Sequence, residues 1–306
     1  MTEKSGILII DKPIGITSAA VVRKIKKWLK VNKIGHGGTL DPLATGVLPI
    51  FINKATKIAQ FFLDKDKSYE GSLRLGMETD TGDIEGKVIK YVEKREISHK
   101  KVKEVMKSFI GKIKQTPPVY SALKVEGVPL YKWARRGVEI TPKERWVYIY
   151  SLQMTLIRWP EVNFKVTCSK GTYIRALCID IGRALGCGGC LARLRRIKAG
   201  PFTISHAITL ETLRETILNR TWEKYFINLN DALSQLPAIV LTNVMEEKIK
   251  RGQFISWHKP LSSGLFRGVN KENRLLAILE PRRIWPQGVE LHPIKVFLRR
   301  KNGINS

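Results

Sequence analysis

Gly35-His36-Gly37-Gly38-Thr39-Leu40-Asp41-Pro42-Leu43-Ala44-Thr45-Gly46 is the stretch on which the reading of this chain turns. Asp41 is the only acidic residue between Asp11 and Asp64. The surroundings are glycine-rich, apolar or basic. In a chain of formal net charge +27, an acid kept alone in such a segment is the first candidate for chemistry. Neighbouring cations favour the charged form of a carboxylate, which suits a nucleophile or base better than a proton donor. Asp41-Pro42 also has the form of a turn opening, with Asp bonding its own backbone. His36 is the one histidine in a suggestive place, and its glycine neighbours predict exposure at a loop tip.

Outward from this segment, Ile7–Ile10 is an apolar strand run. Thr17 or Ser18 is placed to cap a helix reaching about Lys30. Val21, Val22, Ile25, Trp28 and Leu29 recur at helical spacing. Arg23, Lys24, Lys26, Lys27, Lys30 and Lys33 fill much of the rest with no acid to pair at i,i+4, a pattern that fits phosphate contact. Lys67–Gly76 alternates as a strand with one buried face, Tyr69 included. Thr79–Asp83 reads as a turn and Val88–Val92 as a strand. Ser98 caps a helix carrying Val102, Val105, Met106, Phe109 and Ile110. Gln115–Arg145 reads as a long loop in which Tyr120, Tyr131 and Trp133 interleave with Lys124, Lys132, Arg135 and Arg136, a mix suited to base stacking and phosphate neutralisation.

Trp146–Leu156 and Val162–Cys168 are predicted strands, followed by a helix to about Gly186. Arg175 falls in the first turn of that helix, where the dipole disfavours a cation. A carboxylate partner would relieve this, which makes Arg175 a candidate orienter for Asp41. Leu191–Lys198 is a further basic stretch. Beyond about Leu229, short apolar runs separated by glycines predict a small β-barrel-like module.

With 54 Lys and Arg against 27 Asp and Glu, the composition points to a polyanionic partner, nucleic acid before membrane. The cations are spread along the chain, as an extended groove requires. No run is long and apolar enough to span a bilayer, and a cytoplasmic protein is expected. Four cysteines in 306 residues do not make a disulfide scaffold. Cys187 and Cys190 have the spacing of half a zinc site, a weak signal on its own. Neither a P-loop, nor a dinucleotide fingerprint, nor HExxH is present.

Residues 35–49 resemble the signature of the TruB-type tRNA pseudouridine synthases. Asp11-Lys12-Pro13 with Gly15–Ser18, Gln115–Ala122 with Lys124, and Cys168–Arg175 with Asp180-Ile181-Gly182 resemble three further blocks of that family. The likeness is strong over about residues 6–205. It implies an α+β fold, a mixed and largely antiparallel sheet flanked by helices, with a PUA-like RNA-binding module at the C-terminus. Domains are expected at 1–230 and 231–306. The implied activity is isomerisation of the T-loop uridine at tRNA position 55, with no cofactor and no metal. In that pattern Asp41 is the catalytic aspartate, Arg175 its partner, and Tyr69 the ring that stacks on the base and takes the C5 proton. His36 enters the T-loop, Lys12 and Tyr173 belong to the site wall, and Asp83 is a polar contact near the flipped uridine. The partner implied is the tRNA T-arm, with no obligate protein partner, no membrane, and a monomeric enzyme. Two other readings are a guide-dependent enzyme acting on ribosomal RNA, against which the short N-terminus and modest C-terminal module speak, and an inert RNA-binding protein, against which Asp41 and Arg175 together speak.

Overall fold

Burial on both faces of the first strand sets the architecture. Leu8 and Ile10 point to one face, Ile7 and Ile9 to the other, and all four are shut off from solvent. A strand buried on both sides belongs in the interior of a layered fold. The computed structural model describes residues 4–92, 97–138, 140–259, 261 and 263–298. The side chain of Arg135, and residues 299–306 of the expected 231–306 module, lie outside the described residues.

Nine strands form the main sheet: β1 (Gly6–Lys12), β2 (Ile34–His36), β3 (Ala44–Ile52), β4 (Lys67–Leu75), β5 (Gly111–Gln115), β6 (Arg145–Arg158), β7 (Glu161–Cys168), β8 (Gly189–Ala199) and β9 (Phe202–Thr203). Their order is β1-β3-β8-β4-β7-β6-β5, with β2 against β3 and β9 against β8. Only β3 and β8 run parallel; the other pairs are antiparallel. One face carries helices α1 (Ser18–Leu29), α2 (His99–Ser108), α4 (Ile174–Ala184) and α5 (Leu210–Leu218), packed on Leu8, Ile10, Leu48, Leu73 and Val166. A short helix α3 (Leu130–Arg135) follows α2 in the chain.

The opposite face of β1 and β3 is covered differently. Ile7, Ile9, Val47 and Phe51 share one apolar core with Leu233, Val269, Leu275, Ile278 and Phe297. The last four belong to or adjoin a five-stranded sheet of β10 (Ala238–Val240), β11 (Ile255–Trp257), β12 (Phe266–Val269), β13 (Leu275–Trp285) and β14 (Gly288–Val296), ordered β10-β12-β13-β14-β11, with helix α6 (Asn243–Lys250). This is the small β-module expected at the C-terminus. No helix among the described residues is long and apolar enough to cross a membrane.

Local sequence explains the placement of α1. The Thr17 side chain accepts from the Ala20 amide, and Lys30 closes the helix in a left-handed conformation. Val21 and Ile25 are fully buried, and each such burial stabilises by about 1.5–3 kcal/mol. Repulsion among neighbouring cations on a helix costs only about 0.2–0.5 kcal/mol per pair. Burial therefore decides the helix, and Arg23, Lys24, Lys26, Lys27 and Lys30 are left facing solvent.

Three readings differ from the structure. The region 115–145 is not all loop: a ribbon of Lys124–Val125 with Val128–Pro129 leads into α3, whose start at Leu130 suits the fixed φ of the preceding proline. Strand β3 was hidden by Gly46 and Pro49 and by burial on both faces, which leaves no alternation to read. The basic stretch Leu191–Lys198 is β8, in the middle of the sheet, and much of its charge is used internally. Arg195 binds Asp11 through both carboxylate oxygens at 3.1 and 2.6 Å, Arg193 pairs with Glu161 at 3.2 Å, and Arg196 is 1% exposed.

Candidate active site

The Asp41 loop, residues 37–43, begins where β2 leaves β3 and ends where β3 meets β8. Five bonds fix it. Ser18 Oγ donates to the Leu40 carbonyl and accepts from the Leu40 amide, at 3.0 and 2.9 Å. The Gly15 amide donates to the Pro42 carbonyl at 2.9 Å. Arg196 donates to the carbonyls of Gly38 at 3.1 Å and Thr39 at 3.4 Å. Arg196 is itself held by the Val47 carbonyl at 2.7 Å. Gly46 makes this close approach feasible: its φ is +98° and a Cβ there would lie 2.2 Å from the Arg196 carbonyl oxygen.

Asp41 does open a turn, but not by bonding its own backbone. Its carbonyl accepts from the Ala44 amide at 3.1 Å, while the carboxylate turns outward. Oδ2 lies 2.9 Å from Arg175 Nη2. The aspartate side chain is 40% exposed and the arginine 5%, so a buried guanidinium presents a carboxylate to an open space. Arg175 also donates to the carbonyls of Thr81 at 2.7 Å and Tyr120 at 2.8 Å, and its Nε lies 3.7 Å from Asp83 Oδ2. A cation in the first turn of α4, unfavourable by the dipole alone, is thus compensated by two carboxylates and two carbonyls. Gly182 seats α4 against the start of β8; a Cβ there would lie 2.2 Å from the Gly189 amide nitrogen.

Asp41 and Arg175 open into a cavity of about 370 Å³, lined also by Lys67, Tyr69, Ser121, Arg145, Tyr173, Leu194 and Arg196. Tyr69 is 8% exposed. Burial pushes its phenol up, with the charge and hydrogen bond of Arg196 pulling back. A neutral ring can stack directly, whereas accepting a proton needs a phenolate that burial opposes and Arg196 only partly favours. Tyr173 is clamped by Gln115, whose amide accepts from Tyr173 N at 2.9 Å and donates to its carbonyl at 3.0 Å. A larger cleft of about 850 Å³, flanked by Lys54, Lys57 and Arg274, lies at the junction with the C-terminal sheet, away from Asp41.

The structure gathers Asp41, Tyr69, Tyr173 and Arg175 around one cavity and leaves three other candidates off its lining. Lys12 is fully buried and is not part of the wall. Its ammonium donates to the carbonyls of Ile16 at 2.7 Å, Pro13 at 2.9 Å and Pro42 at 3.3 Å, tying β1 to the Asp41 loop. Burial lowers its pKa to about 8, partly opposed by the Asp41 charge. Asp83, 6% exposed, holds Arg175 from behind and accepts from Thr81 Oγ1 at 2.7 Å. His36 is not at an exposed tip: it ends β2, half-buried opposite Ile50, with Nδ1 unpartnered. Burial, then Arg196, pushes its imidazole pKa down. The reading missed Arg196, Lys67 and Arg145. Arg196 carries a signal, since it shares the phase of Ala192 and Leu194 and so stands where an apolar residue is expected. All four cysteines are buried free thiols, and Cys187 Sγ donates to the Gly188 carbonyl at 3.3 Å.

Residues 26–174 match the N-terminal domain of TruB family pseudouridylate synthases, and residues 175–240 match the tRNA pseudouridylate synthase B C-terminal domain. Relatives named tRNA pseudouridine synthase B include one from Syntrophus aciditrophicus, 46% identical over 252 residues, covering 81% of this chain and 79% of that one. Another, from Clostridium kluyveri, is 45% identical over 284 residues and covers 89% and 94%. A third, from Bacillus anthracis, is 40% identical over 306 residues and covers 97% and 98%. Among solved structures, an H/ACA RNP bound to a substrate RNA containing 2′-deoxyuridine superposes with TM-score 0.74 at 26% identity, over 97% of this chain and 86% of that one. A Cbf5-Nop10-Gar1 complex gives TM-score 0.74 at 28% identity, over 96% and 85%. With identities of this order over most of its length and both domain matches in sequence order, the chain belongs to the TruB family of pseudouridylate synthases.

Proposed function

We propose that this chain isomerises the T-loop uridine at tRNA position 55 to pseudouridine. The observation that carries the reading is the Asp41 carboxylate, oriented at 2.9 Å by Arg175 at the mouth of a cavity floored by Tyr69. In the isomerisation the N1–C1′ bond breaks, the uracil turns, and a C5–C1′ bond forms; C5 gives up a proton and N1 gains one. The chain's part is positioning and electrostatics. Arg175 holds Oδ2, and Oδ1 has no hydrogen bond among the described residues, so one oxygen is free to meet the ribose or the base. Extruding a stacked base costs on the order of a few kcal/mol; stacking on Tyr69 and entry of His36 into the vacated stack offset part of it. Exposed cations on α1 supply salt-dependent affinity for the backbone.

The same reading has the chain act alone, as a monomer in the cytoplasm, with residues 1–230 catalytic and 231–306 as an RNA-binding module. The test is incubation with an unmodified tRNA transcript, free of guide RNA and partner proteins, followed by chemical mapping of pseudouridine. One new pseudouridine in the T-loop is expected. Modification only when a guide RNA and partner proteins are added would move the chain to a guide-dependent class. Asp41→Asn should abolish turnover and leave tRNA binding near wild type; full turnover in that variant would remove Asp41 from the mechanism.

A further inference from the structure

Four cations line the cavity: Lys67, Arg145, Arg175 and Arg196. Three donate to protein acceptors. Arg175 serves Asp41 and the carbonyls of Thr81 and Tyr120. Arg196 serves the carbonyls of Val47, Gly38 and Thr39. Lys67 Nζ serves the carbonyls of Leu63 at 2.6 Å and Lys65 at 2.5 Å. Arg145 is the exception. Its side chain makes no hydrogen bond and no ion pair among the described residues. Among the described residues its only partner is a ring face, the guanidinium carbon lying 4.6 Å from the Tyr173 centroid. Its Nε is out of reach of solvent and has no acceptor.

A guanidinium carries five N–H donors and no acceptor. Leaving a buried donor of a charged group unpaired is costly, so an acceptor is expected to arrive from outside. The guanidinium is also held in place. It rests on a tyrosine whose backbone is clamped on both sides by Gln115, and Tyr173 lies two residues before Arg175, so Arg145 and Asp41 are within the reach of one nucleotide. A uridine swung into this cavity brings its flanking phosphates with it. Phosphate is the acceptor that a planar fork of donors matches best.

We propose that Arg145 is a phosphate-binding residue that takes one of the two phosphodiesters flanking the target uridine and thereby registers its ribose against Asp41. The proposal rests on the uridine-isomerase reading above. It is tested with T-arm stem-loops in which either flanking phosphate is a neutral methylphosphonate, with 2′-deoxyribose on the adjacent nucleotide and a matched charged control. For wild-type enzyme, one of the two replacements should lower kcat/KM about 10- to 100-fold, the range of one charge-assisted hydrogen bond. Arg145→Ala should lose a similar factor on the charged control and nothing further on that methylphosphonate. Arg145→Lys should recover part of the loss by restoring a point charge, and Arg145→Ala should flatten the salt dependence of binding by about one phosphate. Equal activity of wild-type enzyme on all three substrates would overturn the proposal, whatever the fate of the variants, and so would independent losses from the variant and the methylphosphonate. Absence of any isomerisation by wild-type enzyme would instead sink the activity on which it rests.

Discussion

Replacing Arg175 by Met keeps the side-chain length and removes the charge. The structure says where the cost falls. The pair with Asp41 is half open to solvent on the carboxylate side, so it contributes about 0–1 kcal/mol to stability. The larger share comes from behind. Asp83, 6% exposed, loses its cation, and the carbonyls of Thr81 and Tyr120 lose their donors. Removing one partner of a buried pair costs about 3–5 kcal/mol, which for a chain of this size corresponds to a fall in Tm of roughly 10 °C. Asp83→Asn in the same chain should return part of this, because an amide can still accept from Thr81 Oγ1 and the Glu85 amide without an unpaired charge. A coupling of about 1–3 kcal/mol between the two substitutions is expected. Activity should not follow stability: the double variant regains Tm but not its single-turnover rate, since Asp41 still lacks its orienting donor. Denaturant melts and single-turnover assays on the four species read both quantities. Additive stabilities, or a rate that recovers with Tm, would refute this division between a structural rear contact and a functional front one.

Two further outcomes follow from charges already placed. Replacing Arg23, Lys24 and Lys27 together by Ala should weaken tRNA binding and flatten the log–log salt slope by about 2–3, the release expected for three phosphate contacts; an unchanged slope would show that α1 faces away from the RNA. Lys12, its pKa lowered to about 8, loses its proton as pH rises through that value. A neutral amine has two N–H groups for three carbonyls, so the Pro42 carbonyl, with the longest of the bonds at 3.3 Å, is released first and the Asp41 loop loosens. Wild-type activity should therefore fall above about pH 8, and Lys12→Met should be slower throughout with that alkaline limb removed.

What was legible in the sequence tracks the kind of physical signal each residue carries. Arg175 could be found because a cation in the first turn of a helix is locally wrong and demands a partner. Asp41 could be found because its isolation among cations is visible without any fold. The strand holding Tyr69 was plain because one face alternates. By contrast β3 was hidden, since a strand covered on both sides has no period and Pro49 reads as a breaker. For Lys12 and Asp83 the motif likeness orders residues along the chain but does not say which side of a loop they occupy, so their burial under the Asp41 loop and behind Arg175 had to come from the fold. For His36 the glycine neighbours suggested a free tip, whereas it ends β2 half-buried, and a Cβ on the adjoining Gly37 would lie 2.9 Å from the Phe51 ring.

The buried cations show how the site tolerates so much positive charge. The N–H groups of Lys12, Arg196 and Lys67 are satisfied largely by backbone carbonyls, not by carboxylates. Carbonyl acceptors satisfy the N–H groups without cancelling net charge. A scaffold stapled with carboxylates would have placed further acids around the cavity, repelling RNA phosphates and competing with Asp41 for Arg175. Stapling with carbonyls leaves Asp41 as the one acid lining the cavity among the described residues and leaves the field around it positive. The same device thus orders the loop, leaves the Asp41 carboxylate without another acid on the cavity lining, and keeps a surrounding charge that favours a polyanion. Adding an acid beside Arg196, as Leu194→Glu would on the cavity wall, should reduce RNA affinity even though Asp41 and Arg175 stay in place.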